Sequence, residues 1–396
     1  MLLLGGQVVS TLGSAASSII YPLLILELTN SPSAAGMAAA LHSIPYLIFC
    51  LPVGALVDRW DRKRVMILCD LGRAFTVFTV PIALWLDVLT IWQLYAAAFV
   101  EGSLFVFFNL AEVAALPRLV PTAQLPQAAA QNEAAFGAAH IVGPSIGTLI
   151  YQTLGRTAPF IADSISFLIS SVSLLFIKTD FRSGKAPRTN TLQMEIVEGL
   201  RWLWQQPLIR YMAFLTGGMN LVNAAAPLIM IVLAKQLGAS NIEIGLIFSI
   251  GGIGGVVGSL IGGQVQKRFS FGQVIIFVIW AQAALFPLYA LVPQFLLLGV
   301  VYSLMYALLP IYNVVQFSYR LALIPDALQG RVNSTFRLFA FGFFPVGAAI
   351  SGFLLERIGP VATVSVFTLW FMLLATFTAF NRHVRQARPL ERIASA

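Results

Sequence analysis

Apolar residues occur along the chain in runs long enough to cross a lipid bilayer as helices. The hydrocarbon core of a bilayer is about 30 Å thick, so a spanning helix needs roughly 20 predominantly apolar residues. Short polar segments, or breaks at proline and glycine, separate twelve such runs, and this pattern predicts an all-α integral membrane protein. The predicted spans cover residues 3–27, 34–57, 65–87, 90–116, 128–153, 158–177, 209–233, 242–265, 272–291, 295–318, 334–355 and 361–380.

The composition excludes an ordinary soluble domain. Of the 396 residues, 58% are hydrophobic and only 10% are charged, whereas soluble domains average about 45–50% apolar and about 25% charged residues. The net charge of +8 fits either a nucleic-acid-binding protein or a membrane protein with basic loops. The positions of the basic residues must therefore decide between these two classes.

The basic residues favour a membrane protein with both termini in the cytoplasm. The chain has 24 lysines and arginines, and in this orientation all but Arg156, Lys235 and Arg357 lie at the cytoplasmic side, where such residues accumulate. The basic patches lack the interleaved aromatic residues that stack on bases, which argues against a nucleic-acid partner. We therefore predict a multi-pass protein of the inner (plasma) membrane, whose first apolar run is a retained span and not a cleaved signal peptide.

The longest polar stretch divides the chain into two sets of six predicted spans. Within this stretch, apolar residues at helical spacing predict an amphipathic helix that either lies at the cytoplasmic face of the membrane or binds a soluble partner. Weak internal similarity places Gly155 opposite Gly359 and Pro121 opposite Pro325 at one constant offset. Such a repeat predicts two six-helix pseudo-repeat bundles around a central cavity. The predicted divisions are an N-terminal bundle (1–178), a cytoplasmic linker with the amphipathic helix (179–207), a C-terminal bundle (208–382) and a cytoplasmic tail (383–396).

A glycine, an acidic residue and a basic cluster follow the second predicted span in the segment GALVDRWDRKR, residues 54–64. Gly54 permits close helix approach, Asp58 can meet a helix N-terminus, and the basic residues hold the loop in the cytoplasm. The segment resembles the signature loop of the major facilitator superfamily, and the resemblance extends over essentially the whole chain. It implies conformational gating by Gly54, Asp58, Arg59 and Arg62, with Asp58 paired to the start of span eleven. The alternative is a loop whose basic residues only fix the orientation.

Predicted span five contains the glycine- and proline-rich segment GAAHIVGPSIG, residues 137–147. Glycines allow close helix packing, and proline kinks the helix. The segment resembles the motif that marks exporters of this superfamily, which implies a gating role for Gly143, Pro144 and Gly147; the family has a second glycine where Thr148 stands. The segments EGLRWLWQQPLIR and ELTNSP are similar to those of the branch that contains drug-efflux, macrolide-efflux and enterobactin-exporter proteins.

Three glutamates within the predicted spans are candidates for proton coupling, because charges there are costly and usually face a cavity. Glu101 lies near the middle of span four, and Glu112 lies eleven residues later, about three helical turns, on nearly the same face. Because span four lines the cavity in the resembled family, we hypothesise that Glu101 binds a proton or a coupling cation and that Glu112 lies nearer the cytoplasmic mouth. Glu133 is a further proton-coupling candidate in span five. The alternative for Glu101 is a structural pairing with a polar neighbour.

Several other ionisable residues lie in or near the spans. Asp70 and Arg73 are three residues apart at the start of span three, so they can pair with each other or with the neighbouring loop, and we interpret them as part of a gating network. Asp163 is expected at an outer helix end. His140 lies mid-span, where it is either a hydrogen-bonded structural residue or a pH sensor, whereas His42 provides no cue.

Polar residues recur in spans one, four, seven and ten, which line the central cavity in the resembled fold. Each of them either contacts the substrate or packs against a neighbouring helix. The cavity candidates are Gln7, Ser14 and Tyr21 in span one, Asn109 in span four, Asn220 and Asn223 in span seven, and Tyr306 and Asn313 in span ten.

The sequence contains no motif for nucleotide binding, metal binding or nucleophilic catalysis. The glycine-rich run GGIGGVVGSLIGG in span eight follows no strand, and its small residues repeat every four positions, as they do in closely packed helices. We therefore predict that the protein is not an enzyme and uses no cofactor or metal ion.

The predicted function is secondary active transport by alternating access. By resemblance, the transport is proton-coupled efflux of a hydrophobic or amphipathic small molecule such as a drug, a macrolide or a siderophore. A nontransporting membrane receptor or assembly partner built on the same fold is the alternative. No motif specifies the substrate or the oligomeric state.

Overall fold

The computed structural model describes residues 2–57, 60–119, 125–177, 192–325 and 328–387. Within these ranges the regular secondary structure is helical, without a β-strand. The helices are α1 (Leu2–Thr29), α2 (Pro32–Val57), α3 (Arg62–Trp85), α4 (Ile91–Leu119), α5 (Leu125–Leu154), α6 (Ala158–Leu175), α7 (Leu192–Gln205), α8 (Pro207–Gln236), α9 (Asn241–Arg268), α10 (Phe271–Leu285), α11 (Leu288–Leu291), α12 (Phe295–Leu323), α13 (Gln329–Gly342), α14 (Phe344–Phe380) and α15 (Arg382–Arg385).

Ten segments of the described chain are long and apolar enough to cross a membrane. One of them, Gln329–Phe380, is a continuous stretch of 52 residues that contains both of the last two predicted spans. Predicted span five, 128–153, falls in α5 and is not among the ten; the side chains of α5 before residue 137 lie outside the described residues. The multi-pass helical architecture is therefore observed, whereas the number twelve stays a prediction.

Contacts between helices divide the chain into two compact units. Unit 1 contains residues 1–189 and 240–249, and unit 2 contains residues 190–239 and 250–396. In unit 1, α1 packs against α5 and α6, α2 against α4, and α3 against α4 and α6. In unit 2, α8 packs against α13 and α14, and α10 packs against α12 and α14. The predicted boundaries of the two bundles, the linker and the tail stay predictions.

The packing of α2 against α4 depends on a glycine. A methyl group on Gly102 of α4 would lie 2.0 Å from the backbone carbonyl oxygen of His42 in α2. Only a residue without a side chain lets the two helices approach so closely. The contact places the side chain of His42 beside that of Glu101, which precedes the glycine in α4.

The predicted amphipathic segment forms α7, which ends before Pro207. On one side, Gly199 lies against the backbone carbonyl of Arg331 in α13, and Glu198 forms an ion pair with the Arg331 guanidinium. On another side, large apolar residues such as Val197 and Trp204 are exposed. An exposed apolar face fits the predicted position at the membrane surface, which itself stays a prediction.

Two glycines that the internal repeat pairs share an unusual backbone conformation. Gly155 follows α5 with a φ of 91°, and Gly359 lies within α14 with a φ of 76°. Both values fall in the left-handed region, which glycine adopts without steric cost. At Gly359 the backbone leaves the helical conformation, so α14 consists of two helices joined at a kink. This agreement supports the internal repeat expected from the sequence.

Candidate functional site

Three side chains from three helices of unit 1, those of His42, Arg73 and Glu101, form an ion-pair network in which the His42 side chain is 44% exposed. Oε1 of Glu101 accepts hydrogen bonds from Nη2 and Nε of Arg73 at 2.9 and 3.3 Å. Oε2 of Glu101 lies 2.8 Å from Nε2 of His42. The side chains of Arg73 and Glu101 are only 5% and 13% exposed. Hydrogen bonds between charged groups are strong in such a low-dielectric setting, and removing one partner leaves a buried charge uncompensated.

Arg73 is the centre of this arrangement because its guanidinium contacts several helices. The guanidinium carbon lies 3.9 Å from the ring centroid of Phe167 in α6, in a cation–π contact. Nη2 donates a hydrogen bond to Ser14 Oγ of α1 at 3.3 Å. Nη1 lies 3.9 Å from Oδ1 of Asp70, one turn earlier in α3. The expected pairing of Asp70 with Arg73 is thus observed, but Glu101 is the closer partner.

Asp163 lies inside the unit beside this network. It is the sixth residue of α6, it is buried, and its Oδ2 accepts a 2.5 Å hydrogen bond from Ser17 Oγ of α1. Its depth in the membrane, expected at an outer helix end, stays a prediction. The sequence of this span does not reveal which face of α6 meets α1. In the structure, Ser17 of α1 and Ser166 of α6 contact the Asp163 carboxyl group.

The ion-pair network can gain or lose a proton with little movement of heavy atoms. When His42 is protonated, its imidazolium forms an ion pair with Glu101; when it is neutral, a hydrogen bond remains and the ion pair is lost. Arg73 keeps its positive charge in both states. Deprotonation of His42 therefore changes the network from net positive to neutral, and a charge change inside a membrane protein alters the stability of the surrounding packing.

The predicted gating residues fall in different surroundings. Arg62, at the start of α3, is buried and donates a hydrogen bond from Nη1 to the backbone carbonyl of Ala114 in α4 at 2.8 Å. Gly54 lies in α2, in a part whose side-chain surroundings are outside the described residues, as are Asp58 and Arg59 themselves. The gating role of these residues stays a prediction.

The exporter-like segment packs α5 against α1. Methyl groups on Gly143 and Gly147 would lie 2.6 Å from the Ala15 side chain and 2.4 Å from the Ala16 carbonyl oxygen. Pro144 lies between these glycines within α5. Its backbone carbonyl accepts a 2.9 Å hydrogen bond from the hydroxyl group of Thr148. The segment therefore determines how closely α5 approaches the polar side of α1.

The cavity candidates of unit 1 divide into those that join the network and those that do not. Ser14 accepts a hydrogen bond from Arg73, as described above. Within the described residues, the buried polar atoms Gln7 Nε2 and Tyr21 Oη have no hydrogen-bond partner. Asn109 is half-buried in α4. Unsatisfied polar groups in a membrane protein are candidates for contact with water or a ligand.

The cavity candidates of unit 2 are equally varied. Asn220 donates a 2.8 Å hydrogen bond from Nδ2 to the backbone carbonyl of Ala340, which ties α8 to α13. Asn223 Nδ2 is buried without a partner among the described residues. Tyr306 is half-buried and stacks on a neighbouring tyrosine, with 5.5 Å between the ring centroids, and Asn313 is exposed. The structure thus favours the packing interpretation for Asn220.

Of the two other acidic candidates, Glu112 lies apart from the network. Glu112 is half-buried in α4, and eleven residues of helix place it about 16 Å along the axis from Glu101. Glu133 lies in α5, and its side chain is outside the described residues. Among the described side chains, no group of three His, Cys, Asp or Glu residues is arranged to hold a metal ion.

Comparison with known families assigns this fold. A sequence model of the Major Facilitator Superfamily matches residues 3–341, most of the chain. The chain belongs to the major facilitator superfamily. Its helical, multi-pass architecture is that of a membrane transporter, and the superfamily resemblance noted in the loop after α2 is confirmed.

Relatives that match this superfamily member over nearly its whole length are efflux proteins. The multidrug efflux pump Tap of Mycolicibacterium fortuitum is 26% identical over 400 residues, which cover 98% of this chain and 96% of Tap. Macrolide efflux protein A of Streptococcus pyogenes is 27% identical and covers 94% of this chain and 91% of its own length. The enterobactin exporter EntS of Escherichia coli strain K12 is 24% identical, with coverages of 94% and 89%. The predicted branch is thereby confirmed, and these relatives are transporters, not enzymes.

A solved structure agrees with the fold. The nucleoside transporter NupG has a TM-score of 0.77 at 14% sequence identity, covering 98% of this chain and 100% of NupG. At this identity the likeness shows the fold and nothing about the substrate. The ion-pair network thus lies among the membrane-spanning helices of a major facilitator transporter.

Proposed function

We propose that the protein is a secondary active exporter that works by alternating access and exchanges a hydrophobic or amphipathic small molecule for protons. Three relatives over nearly the full length are named as efflux proteins, for several drugs, for macrolides and for enterobactin, and they support export and the substrate class. The observation that carries proton coupling is the burial of Glu101 between Arg73 and His42. Buried ionisable groups in membrane helices mark proton relays and ion pathways.

In the proposed cycle, His42 and Glu101 together carry the exchanged proton. When His42 is protonated, its 2.8 Å ion pair with Glu101 holds α2 against α4. Loss of the proton weakens this interaction, while Arg73 still neutralises the Glu101 carboxylate. A proton therefore stabilises one helix arrangement over another, and its free energy can be coupled to a conformational change. Glu112 and Glu133 are secondary proton-coupling candidates, because both are acidic residues within predicted spans, where charges usually face a cavity.

The remaining site residues complete the proposal. We assign conformational gating to Gly54, Asp58, Arg59, Arg62, Asp70, Arg73, Gly143, Pro144 and Gly147. We assign contact with the substrate to Gln7, Ser14, Tyr21, Asn109, Asn223, Tyr306 and Asn313. Both termini are proposed to face the cytoplasm, because the basic residues concentrate at the ends of the spans on that side.

Transport by purified protein in liposomes tests the proposal. An imposed proton gradient should drive movement of at least one compound from a panel of ethidium, erythromycin and enterobactin. The variant Glu101→Gln should lose the dependence of this flux on the gradient, because an amide cannot release a proton. Glu27→Gln, which changes an acidic residue of α1 that pairs with Arg156 outside the network, should keep it. Flux of no compound in the panel would contradict the proposed exporter, and unchanged pH dependence in Glu101→Gln would remove Glu101 from coupling.

A further inference from the structure

A second buried carboxyl group lies beside the ion-pair network and takes no part in its ion pairs. Asp163 is 2% exposed. Its Oδ2 accepts the 2.5 Å hydrogen bond from Ser17 Oγ, and its Oδ1 lies 3.3 Å from Ser166 Oγ, one turn later in α6. Both partners are uncharged hydroxyl groups, which are as well able to bond a neutral carboxylic acid as a carboxylate.

No positively charged group forms an ion pair with Asp163 in the described part of the chain. None of the ion pairs found there includes this residue. The guanidinium of Arg73 directs Nε and Nη2 to Glu101 and Nη1 toward Asp70. An ionised carboxylate buried in a membrane span without a cation is unfavourable, whereas the neutral acid is not.

The charges of the whole cluster balance when Asp163 is neutral and the other four groups are charged. Arg73 and the protonated His42 contribute two positive charges, and Glu101 and Asp70 contribute two negative charges. A proton on Asp163 therefore leaves the cluster uncharged. Loss of the protons from both Asp163 and His42 would leave two uncompensated negative charges in a low-dielectric region, a state that is favourable only when water or a cation enters.

The titratable and charged groups that act on Asp163 come from three other helices. They are Tyr21 of α1, Arg73 of α3 and Glu101 of α4. The negative charge of Glu101 disfavours a second carboxylate nearby and the positive charge of Arg73 favours it, so the two effects oppose each other.

Helix α1 connects Asp163 with the ion-pair network. Ser17 bonds the Asp163 carboxyl group, and Ser14, one turn earlier, accepts the hydrogen bond from Arg73. Gly13 permits the close approach, because a methyl group there would lie 2.8 Å from Asp163 Oδ1.

We propose that Asp163 binds a proton of its own, so that each transport cycle exchanges two protons, one on Asp163 and one on the His42–Glu101 pair. On release, the O–H bond of the acid breaks, the electron pair stays on the carboxylate, and the proton passes to water in the open pathway. The proposed number of exchanged protons rests on the proposed proton-coupled transport. The presence of a proton on Asp163 can be tested without any transport.

Infrared difference spectroscopy of the purified protein, recorded as the pH is raised, tests the bound proton directly. A buried neutral carboxylic acid has a C=O stretching band that a carboxylate lacks, and the band shifts in heavy water. We expect this band at neutral pH in the wild type, its loss in Asp163→Asn, and its retention in Glu112→Gln, which changes a carboxyl group of α4 outside the cluster. Absence of the band from the wild type, or its persistence in Asp163→Asn, would overturn the proposal.

A second variant covers the case in which Asp163→Asn does not fold. Ser17→Ala keeps the carboxyl group and removes the 2.5 Å hydrogen bond, so the band should move to higher frequency. A band at unchanged frequency in Ser17→Ala would arise from a different carboxyl group and would overturn the assignment.

Transport measurements then test the number of protons. With the membrane potential held at zero and a gradient of one pH unit, each exchanged proton can sustain about a tenfold concentration ratio of the transported compound. For the compound of the panel that is transported, we expect about a hundredfold ratio in the wild type and about tenfold in Asp163→Asn. A tenfold ratio that is the same in both proteins would overturn the second proton. Absence of gradient-driven transport in the wild type would instead contradict the proposed function, and the infrared band alone would then decide on Asp163.

Discussion

Replacing Gly102 with alanine should disconnect His42 from Glu101 without changing either side chain. The new methyl group would lie 2.0 Å from the His42 carbonyl oxygen, whereas ordinary contacts begin at 3.4 Å, so α2 and α4 must separate locally by about 1.4 Å. The same displacement would lengthen the 2.8 Å contact between His42 and Glu101 to about 4 Å, beyond the range of a hydrogen bond. Overpacking of this kind costs about 1–3 kcal/mol of stability.

Two measurements on Gly102→Ala check this reasoning. Thermal unfolding in detergent should show a lower midpoint than in the wild type, and proton-driven efflux should lose its dependence on the pH gradient. Gly137→Ala is the matched control, because nothing lies within 4 Å of its added methyl group; in a helix this change should be neutral or stabilising by up to about 1 kcal/mol. Equal unfolding midpoints and equal pH dependence in the two variants would refute the proposed role of close packing at Gly102.

Three further substitutions have expected outcomes in thermal unfolding of the purified protein. Phe167→Leu removes the ring that lies 3.9 Å from the Arg73 guanidinium and should destabilise the protein by about 2 kcal/mol or more. The ring of Phe105 lies farther from the same guanidinium, at 5.6 Å, so a smaller loss in Phe167→Leu than in Phe105→Leu would argue against this contact. Tyr151→Phe removes the 2.6 Å hydrogen bond to Glu27 and should cost about 1.5 kcal/mol, with no loss expected if the bond is absent in solution. Asp61→Ala removes the N-cap that accepts hydrogen bonds from two backbone N–H groups of α3 and should cost about 1 kcal/mol, whereas Asp61→Asn should retain most of the stability.

The sequence was sufficient for the class of fold and for the position of individual charges along their helices. Spans of about 20 apolar residues and the loop after α2 led to the superfamily, and Glu101 was placed near the middle of a span. The spacing of Asp70 and Arg73 predicted a contact within one helix. These are local properties, which depend on composition and on the helical repeat.

The partners of Glu101 and the place of Asp163 could not be predicted, for a physical reason. A membrane span is apolar on every side, so its sequence does not reveal which face meets which neighbour. His42 and Glu101 lie on helices that meet because of Gly102, and Asp163 meets Ser17 across 146 residues of chain. The serines of α1 nevertheless indicate such a partner, since a stripe of hydroxyl groups favours polar residues on the helix that packs against it. Asp163 of α6 is the polar residue that Ser17 contacts.

Both carboxylate oxygens of Glu101 already have partners, and this has a consequence for ion selectivity. Hard metal cations require several oxygen ligands, about six or more for ions such as Ca²⁺, and this carboxylate already gives one oxygen to Arg73 and the other to His42. Three of the about four lone-pair sites of this carboxylate are already engaged, so a metal cation could gain at most one ligand from Glu101 unless it displaced a guanidinium or an imidazole. A proton needs a single lone pair and can move within the existing contact, so the geometry that buries Glu101 also discriminates in favour of the smallest ion.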